Sequence, residues 1–168
     1  MKRKKLIVVI IVMFLFVLLQ TTLFRKFPEN FIYPDIALII LVFFSINRGV
    51  TDGLVSGFVI GMAEDFLSLA PLGFNSFIKT TIGFIFGNFK DKMFLDPIFF
   101  PMLVVLIATL MKGFIAVIIS LAFLSPEASP AVFTYRFAIE IIQNCICAPF
   151  VFAFMKLVKF YTFEDRGF

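Results

Sequence analysis

An all-helical integral membrane protein with six crossings in one bundle is the fold class that this sequence predicts. Three observations predict it. Of the 168 residues, 61% are apolar and only 15% charged, against about a quarter charged in ordinary globular chains. The apolar residues gather into runs near the ~20 residues that a helix needs to cross a bilayer. Turn signals and charged clusters separate the runs, leaving one membrane domain over residues 1–168 and no room for a soluble one. The formal charge of +4 does not signal nucleic acid. Lys2-Arg3-Lys4-Lys5 stands directly before the first apolar run, where a basic cluster orients a membrane helix.

The first span is expected over residues 6–24, broken only by Gln20, Thr21 and Thr22. It outruns a signal-peptide core and lacks a small-residue cleavage site, so it reads as a retained helix. The second, 31–46, opens on Pro34-Asp35, where proline suits the first turn and an acid complements the positive helix end. It is short, and neighbours must accommodate it by tilt or thinning. Asn47-Arg48-Gly49 closes it, and a third span follows over 53–69. Pro71-Leu72-Gly73 turns the chain into a fourth span over 74–87, with Gly87-Asn88 as its stop. After the charged loop Lys90-Asp91-Lys92, Asp96-Pro97 caps and opens a fifth span over 97–124. A Ser125–Pro130 turn leads to the last span, 131–160.

Six spans put both termini on one side, and the basic residues say which. Ten of them fall on the side of the termini: the opening four with Arg48, Lys90, Lys92, Lys156, Lys159 and Arg166. Only two, Arg25 and Lys26, fall on the other. The positive-inside rule then places both ends in the cytoplasm.

Three bases, Lys79, Lys112 and Arg136, and three acids, Glu64, Asp65 and Glu140, fall inside spans. Each costs roughly 2.5–3.5 kcal/mol near the bilayer centre, so six unpaired would cost roughly 15–20. A fold stable by about 5–15 kcal/mol cannot carry that. The signs balance, and the depths of all but Lys112, which is nearer the middle, converge on the outer leaflet, with Arg136 and Glu140 on one helix face and Gln143 and Asn144 beneath them. One polar cluster is therefore expected. It is either an ion-pair network that selects which helices pack, or the lining of a small outward pocket. A third possibility is that groups near span ends reach to the interface.

Gly49, Gly53, Gly57 and Gly61 repeat every four residues, as do Gly83 and Gly87. Small residues at this spacing let helix backbones approach, within one chain or against a partner or second copy. Catalysis is not expected. The chain has no histidine, and Ser68, Ser76 and Ser120 have no base beside them. Cys145 and Cys147 lie two apart in a helical pattern, so they point apart and imply neither a disulfide nor a metal site. No cofactor is expected.

Pro34-Asp35, Arg48-Gly49, Gly57-Phe58 with Gly61, Asp65, and Leu72-Gly73 together resemble the pattern of the rod shape-determining protein MreD family. The layout of the whole chain is similar, while the specific motif lies within residues 34–87. Glu64 doubles the expected acid, and Lys79 puts a charge into a usually apolar helix. The resemblance implies a non-enzymatic, multi-pass component of the bacterial inner membrane within the machinery of lateral-wall elongation. It implies MreC as direct partner, with MreB, RodA and its transpeptidase beyond it. It also implies a fold similar to the substrate-binding subunits of energy-coupling-factor transporters, and hence a rival function, capture of a vitamin-like solute. In the leading reading, small-residue grooves receive the transmembrane helix of MreC and the polar cluster holds the bundle in shape.

Overall fold

The computed structural model describes residues 32–68, 71–90, 98–123 and 135–157, together with Ile11, Phe14 and Leu15. The expected first span, the Asp96-Pro97 cap and the Ser125–Pro130 turn lie outside these residues. From residue 32 on, the described residues form five helices: α1 (Ile36–Arg48), α2 (Val50–Leu67), α3 (Phe74–Gly87), α4 (Phe99–Phe123) and α5 (Tyr135–Leu157).

The sequence of α1, IALIILVFFSINR, is apolar around its whole circumference until its last turn. Such a helix is stable only when surrounded. It is the axis of the bundle: every residue from Ala37 to Ile46 is buried, and α2, α3, α4 and α5 all pack against it. At 1.5 Å per residue its 13 residues span about 20 Å, less than the ~30 Å hydrocarbon layer. Its neighbours shield it, so its own length need not match the bilayer.

Gly49 ends α1 and begins α2 in a single residue. Its φ of 100° lies in the region that glycine reaches without a Cβ penalty. Its N–H donates to the Ser45 carbonyl at 2.8 Å, and its own carbonyl accepts from Gly53 N–H at 3.0 Å. This shared boundary is why α2 starts at Val50, a turn before the Gly53 start read from the sequence.

Phe99–Ala122 and Tyr135–Lys156 are each long and apolar enough to cross a membrane. Their outward faces carry apolar stripes at helical spacing: Leu103, Ile107, Leu110, Phe114, Ile118 and Leu121 on α4, and Ile139, Ile142, Ile146, Phe150 and Phe154 on α5. Water would disfavour an apolar surface of this extent, and lipid accommodates it. Inward, Val104, Val105, Ala108, Ala148, Phe152 and Met155 close onto α1, with the Phe152 ring edge-on to Phe43 at 5.0 Å between centroids.

Candidate functional site

The site is built from the start of α1. Asp35 caps that helix, its Oδ1 accepting from Leu38 N–H at 2.9 Å. A cap needs only one carboxylate oxygen. Here Oδ1 also accepts from Lys79 Nζ on α3 at 3.3 Å, and Oδ2 accepts from Lys112 Nζ on α4 at 2.8 Å. Each lysine holds a second acid from its neighbouring helix. Lys79 pairs with Glu64 of α2, and Lys112 with Glu140 of α5 at 2.7 Å. The result is one chain of alternating charge, Glu64–Lys79–Asp35–Lys112–Glu140, that touches every described helix.

The centre of this chain is dry and its ends are less so. The Lys79 side chain is 1% exposed and that of Asp35 9%, whereas Lys112 is 24% and Glu140 21% exposed. Charges in such surroundings persist only when paired and hydrogen-bonded. The positive end of the α1 dipole adds to the field that holds Asp35 ionised. Neutral groups lock the same corner. Asp35 N–H donates to Asn144 Oδ1 at 2.8 Å, Asn144 Nδ2 donates to Thr109 Oγ1 at 3.1 Å, and Gln143 Nε2 donates to the Ile32 carbonyl at 3.0 Å.

Four of the six charged residues singled out in the sequence, Glu64, Lys79, Lys112 and Glu140, thus meet in one network. Arg136 lies half-buried one turn before Glu140. Asp65 is buried but does other work, which corrects its expected place among the ion pairs. Its carboxylate accepts from the backbone N–H groups of Gly73 at 2.9 Å, Asn75 at 2.9 Å and Ser76 at 3.1 Å. Successive helical residues point about 100° apart, so Glu64 and Asp65 cannot both face Lys79. The N-cap of α3 is Gly73, at φ 95°, which has no side chain to offer the first-turn donors. Asp65 supplies that cap from across the turn. Leu72, at the tip, is exposed.

The residue that sequence reasoning missed as a cluster member is Asp35. The sequence marks Pro34-Asp35 as a helix opening and a family-motif element, and neither reading makes Asp35 an ion-pair partner. A capping carboxylate keeps lone pairs beyond the one that its cap uses, and with lysines on two neighbouring spans that is the available clue.

The spaced glycines are taken up inside the molecule. A Cβ on Gly53 would strike the Gly83 backbone, on Gly57 the Lys79 backbone, on Gly61 that of Ser76, and on Gly87 that of Val50. They form the α2–α3 contact, so among the described residues this glycine face is turned onto the chain's own backbone. Among the described residues no group of three or more His, Cys, Asp or Glu side chains is placed to hold a metal ion. Cys145 and Cys147 are free and half-buried.

No curated protein and no solved structure matches the chain. A family model described as rod shape-determining protein MreD matches residues 1–158. With Asp35 placed at a cap, Gly49 at a helix boundary, Gly57 and Gly61 in the helix contact and Leu72-Gly73 at the turn, the chain belongs to the MreD family of membrane proteins, whose role lies in rod shape determination.

Proposed function

We propose that this protein is a non-catalytic, multi-pass subunit of the bacterial inner membrane that organises cell-wall elongation by binding MreC. Through MreC it would act on MreB, RodA and the associated transpeptidase. The observation that carries this reading is where the polar groups go. Each of the five charged groups in the network is bonded to another of them, and Asp65 is bonded to backbone, so the interior chemistry holds the protein's shape. What faces outward on α4 and α5 is apolar helix surface, which suits a partner's transmembrane helix. This replaces the glycine face, which is closed. Six crossings with cytoplasmic termini complete the proposal. The same internal pairing weighs against a solute-binding subunit, whose charged groups would wait for a ligand.

Detergent-solubilised MreC carrying an affinity tag should co-purify the wild-type chain. The association should survive Asp65→Asn, because Asp65 holds only the α2–α3 turn. Wild-type protein that does not associate with MreC would sink the proposal. Depletion in a rod-shaped host should produce rounded cells, and a vitamin-like solute retained in native mass spectrometry would instead favour the transporter reading.

A further inference from the structure

The ion chain divides at one bond. On one side, Lys79 and Glu64 pair within the α2–α3 hairpin. On the other, Asp35, Lys112 and Glu140 join α1, α4 and α5, and the Asn144 and Gln143 hydrogen bonds tie the start of α1 to α5 independently of any charge. Among the described residues the one ion pair between the two sets is Lys79–Asp35, at 3.3 Å the longest of the four in the chain; otherwise the hairpin meets α1 through the apolar side chains of Ile60, Ile78, Ile82 and Phe86. The hairpin is itself a stiff unit, joined backbone to backbone at its glycines and capped at its turn by Asp65. At the opposite end it continues into α1 through a single residue, Gly49, which has the backbone freedom to act as a pivot, and leads on to α4 by the longer connection of residues 88–98.

We propose that the α2–α3 hairpin is a hinged arm, pivoting on Gly49 and latched to the rest of the bundle by the Lys79–Asp35 ion pair. Opening the latch leaves no charge without a partner. Lys79 keeps Glu64, and Asp35 keeps Lys112, so the electrostatic cost of release is far less than that of breaking an isolated buried pair, and lipid can take the place of the apolar contacts on α1. Glu64 thereby acquires a role: it is the counter-ion that travels with the arm. In the latched state Lys79 and Lys112 are held by the two oxygens of one carboxylate. Weakening that carboxylate also turns their mutual repulsion toward opening. The proposal concerns how the bundle moves and stands apart from which partner it binds.

The test is spin-label distance measurement on the full chain in lipid nanodiscs, with Cys145 and Cys147 replaced by alanine. Labels at Leu72 and Ile118 report across the latch. Labels at Phe66 and Phe77 report within the arm, and those at Phe114 and Ile139 within the remaining body; all six positions are exposed. The latch is removed as a neutral unit by Glu64→Gln with Lys79→Met, and separately by Asp35→Asn, which keeps a capping oxygen for Leu38. In the unaltered bundle the open state should be a minor one, under about 10% of molecules. Both variants should convert the Leu72–Ile118 distribution to a majority longer component while the two internal distances stay as they were. An unchanged Leu72–Ile118 distance, or equal broadening of all three, would overturn the latch. So would failure of both variants to fold, because the proposal requires arm and body each to hold without it.

Discussion

The α2–α3 and α4–α5 pairs are both antiparallel helix pairs packed on α1, but they are joined in opposite ways. The buried positions of α2 are small or polar: Gly53, Ser56, Gly57, Gly61, Ala63 and Asp65, with Ile60 the one large apolar residue. Its contact with α3 is backbone against backbone. In lipid there is little hydrophobic force between helices, so close approach and dispersion must supply the attraction. The α4–α5 pair instead meets through side chains, Lys112 with Glu140, Thr109 with Asn144, and the Phe137 ring against Gly113. A backbone joint has nothing that can move aside, whereas a side-chain joint can repack. The first makes a stiff arm and the second a tolerant wall.

The largest effect should come from breaking the stiff joint. In Gly57→Val, the new Cβ would lie 2.8 Å from the Lys79 carbonyl carbon and 3.0 Å from Thr80 Cα, both backbone atoms of α3. The helices must separate to admit it, at a cost above about 4 kcal/mol. A fold of ordinary stability, about 5–15 kcal/mol, would lose most of its margin. The expected outcome is little or no monodisperse protein on size exclusion in detergent. A variant that elutes and melts like wild type would show the α2–α3 backbone contact to be looser than described.

The lysines give the next contrast. Lys79→Met leaves Glu64 without its partner and Asp35 with one lysine instead of two, around a side chain only 1% exposed. Removing one member of such a buried network costs about 3–5 kcal/mol. Lys112→Met strips Glu140, but both groups are more than a fifth exposed, and water can replace part of what is lost. A cost of about 1–3 kcal/mol is expected there. With no tryptophan in the chain, a maleimide dye that reports exposure of the half-buried Cys145 and Cys147 gives the melting curve. The Lys79 variant should melt well below the Lys112 variant, and equal losses would erase the difference between the two regions.

These contrasts also show which features were legible before the structure. Composition and run length announced helices in lipid, because a bilayer demands satisfied backbone and apolar surface. Glycine spacing announced a close contact, since a four-residue repeat keeps one helix face. The network was harder. Counting charges could find that Glu64, Lys79, Lys112 and Glu140 need partners, but it also admitted Asp65, whose neighbour Glu64 satisfies the same count. Only the direction in which each side chain leaves its helix separates them. Asp35 was hidden for a related reason: a cap is a local signal, while the same carboxylate also acts across 44 residues of chain through its capping oxygen and across 77 through the other. Sequence patterns report local periods well and report nothing of which distant lysine a free oxygen will meet.

The smallest predicted effect isolates the tolerance of the α4–α5 wall. Gly113 is the one described glycine in that pair, and a Cβ there would meet the ring of Phe137, with ring carbons at 3.0 and 3.1 Å. The obstacle is a side chain on a neighbouring helix, and a ring can turn about its own bonds where backbone cannot. Gly113→Ala should therefore cost only about 1 kcal/mol, near the low end for overpacking, and alanine's better helix propensity offsets part of it. For a chain of this size that is a fall in melting temperature of roughly 2–4 °C. The same substitution at Gly53 would meet the Gly83 backbone and should cost several times more. If the two alanine variants melt together, the distinction between a backbone joint and a side-chain joint fails, because glycine-to-alanine chemistry is identical at both sites and only the obstacle differs.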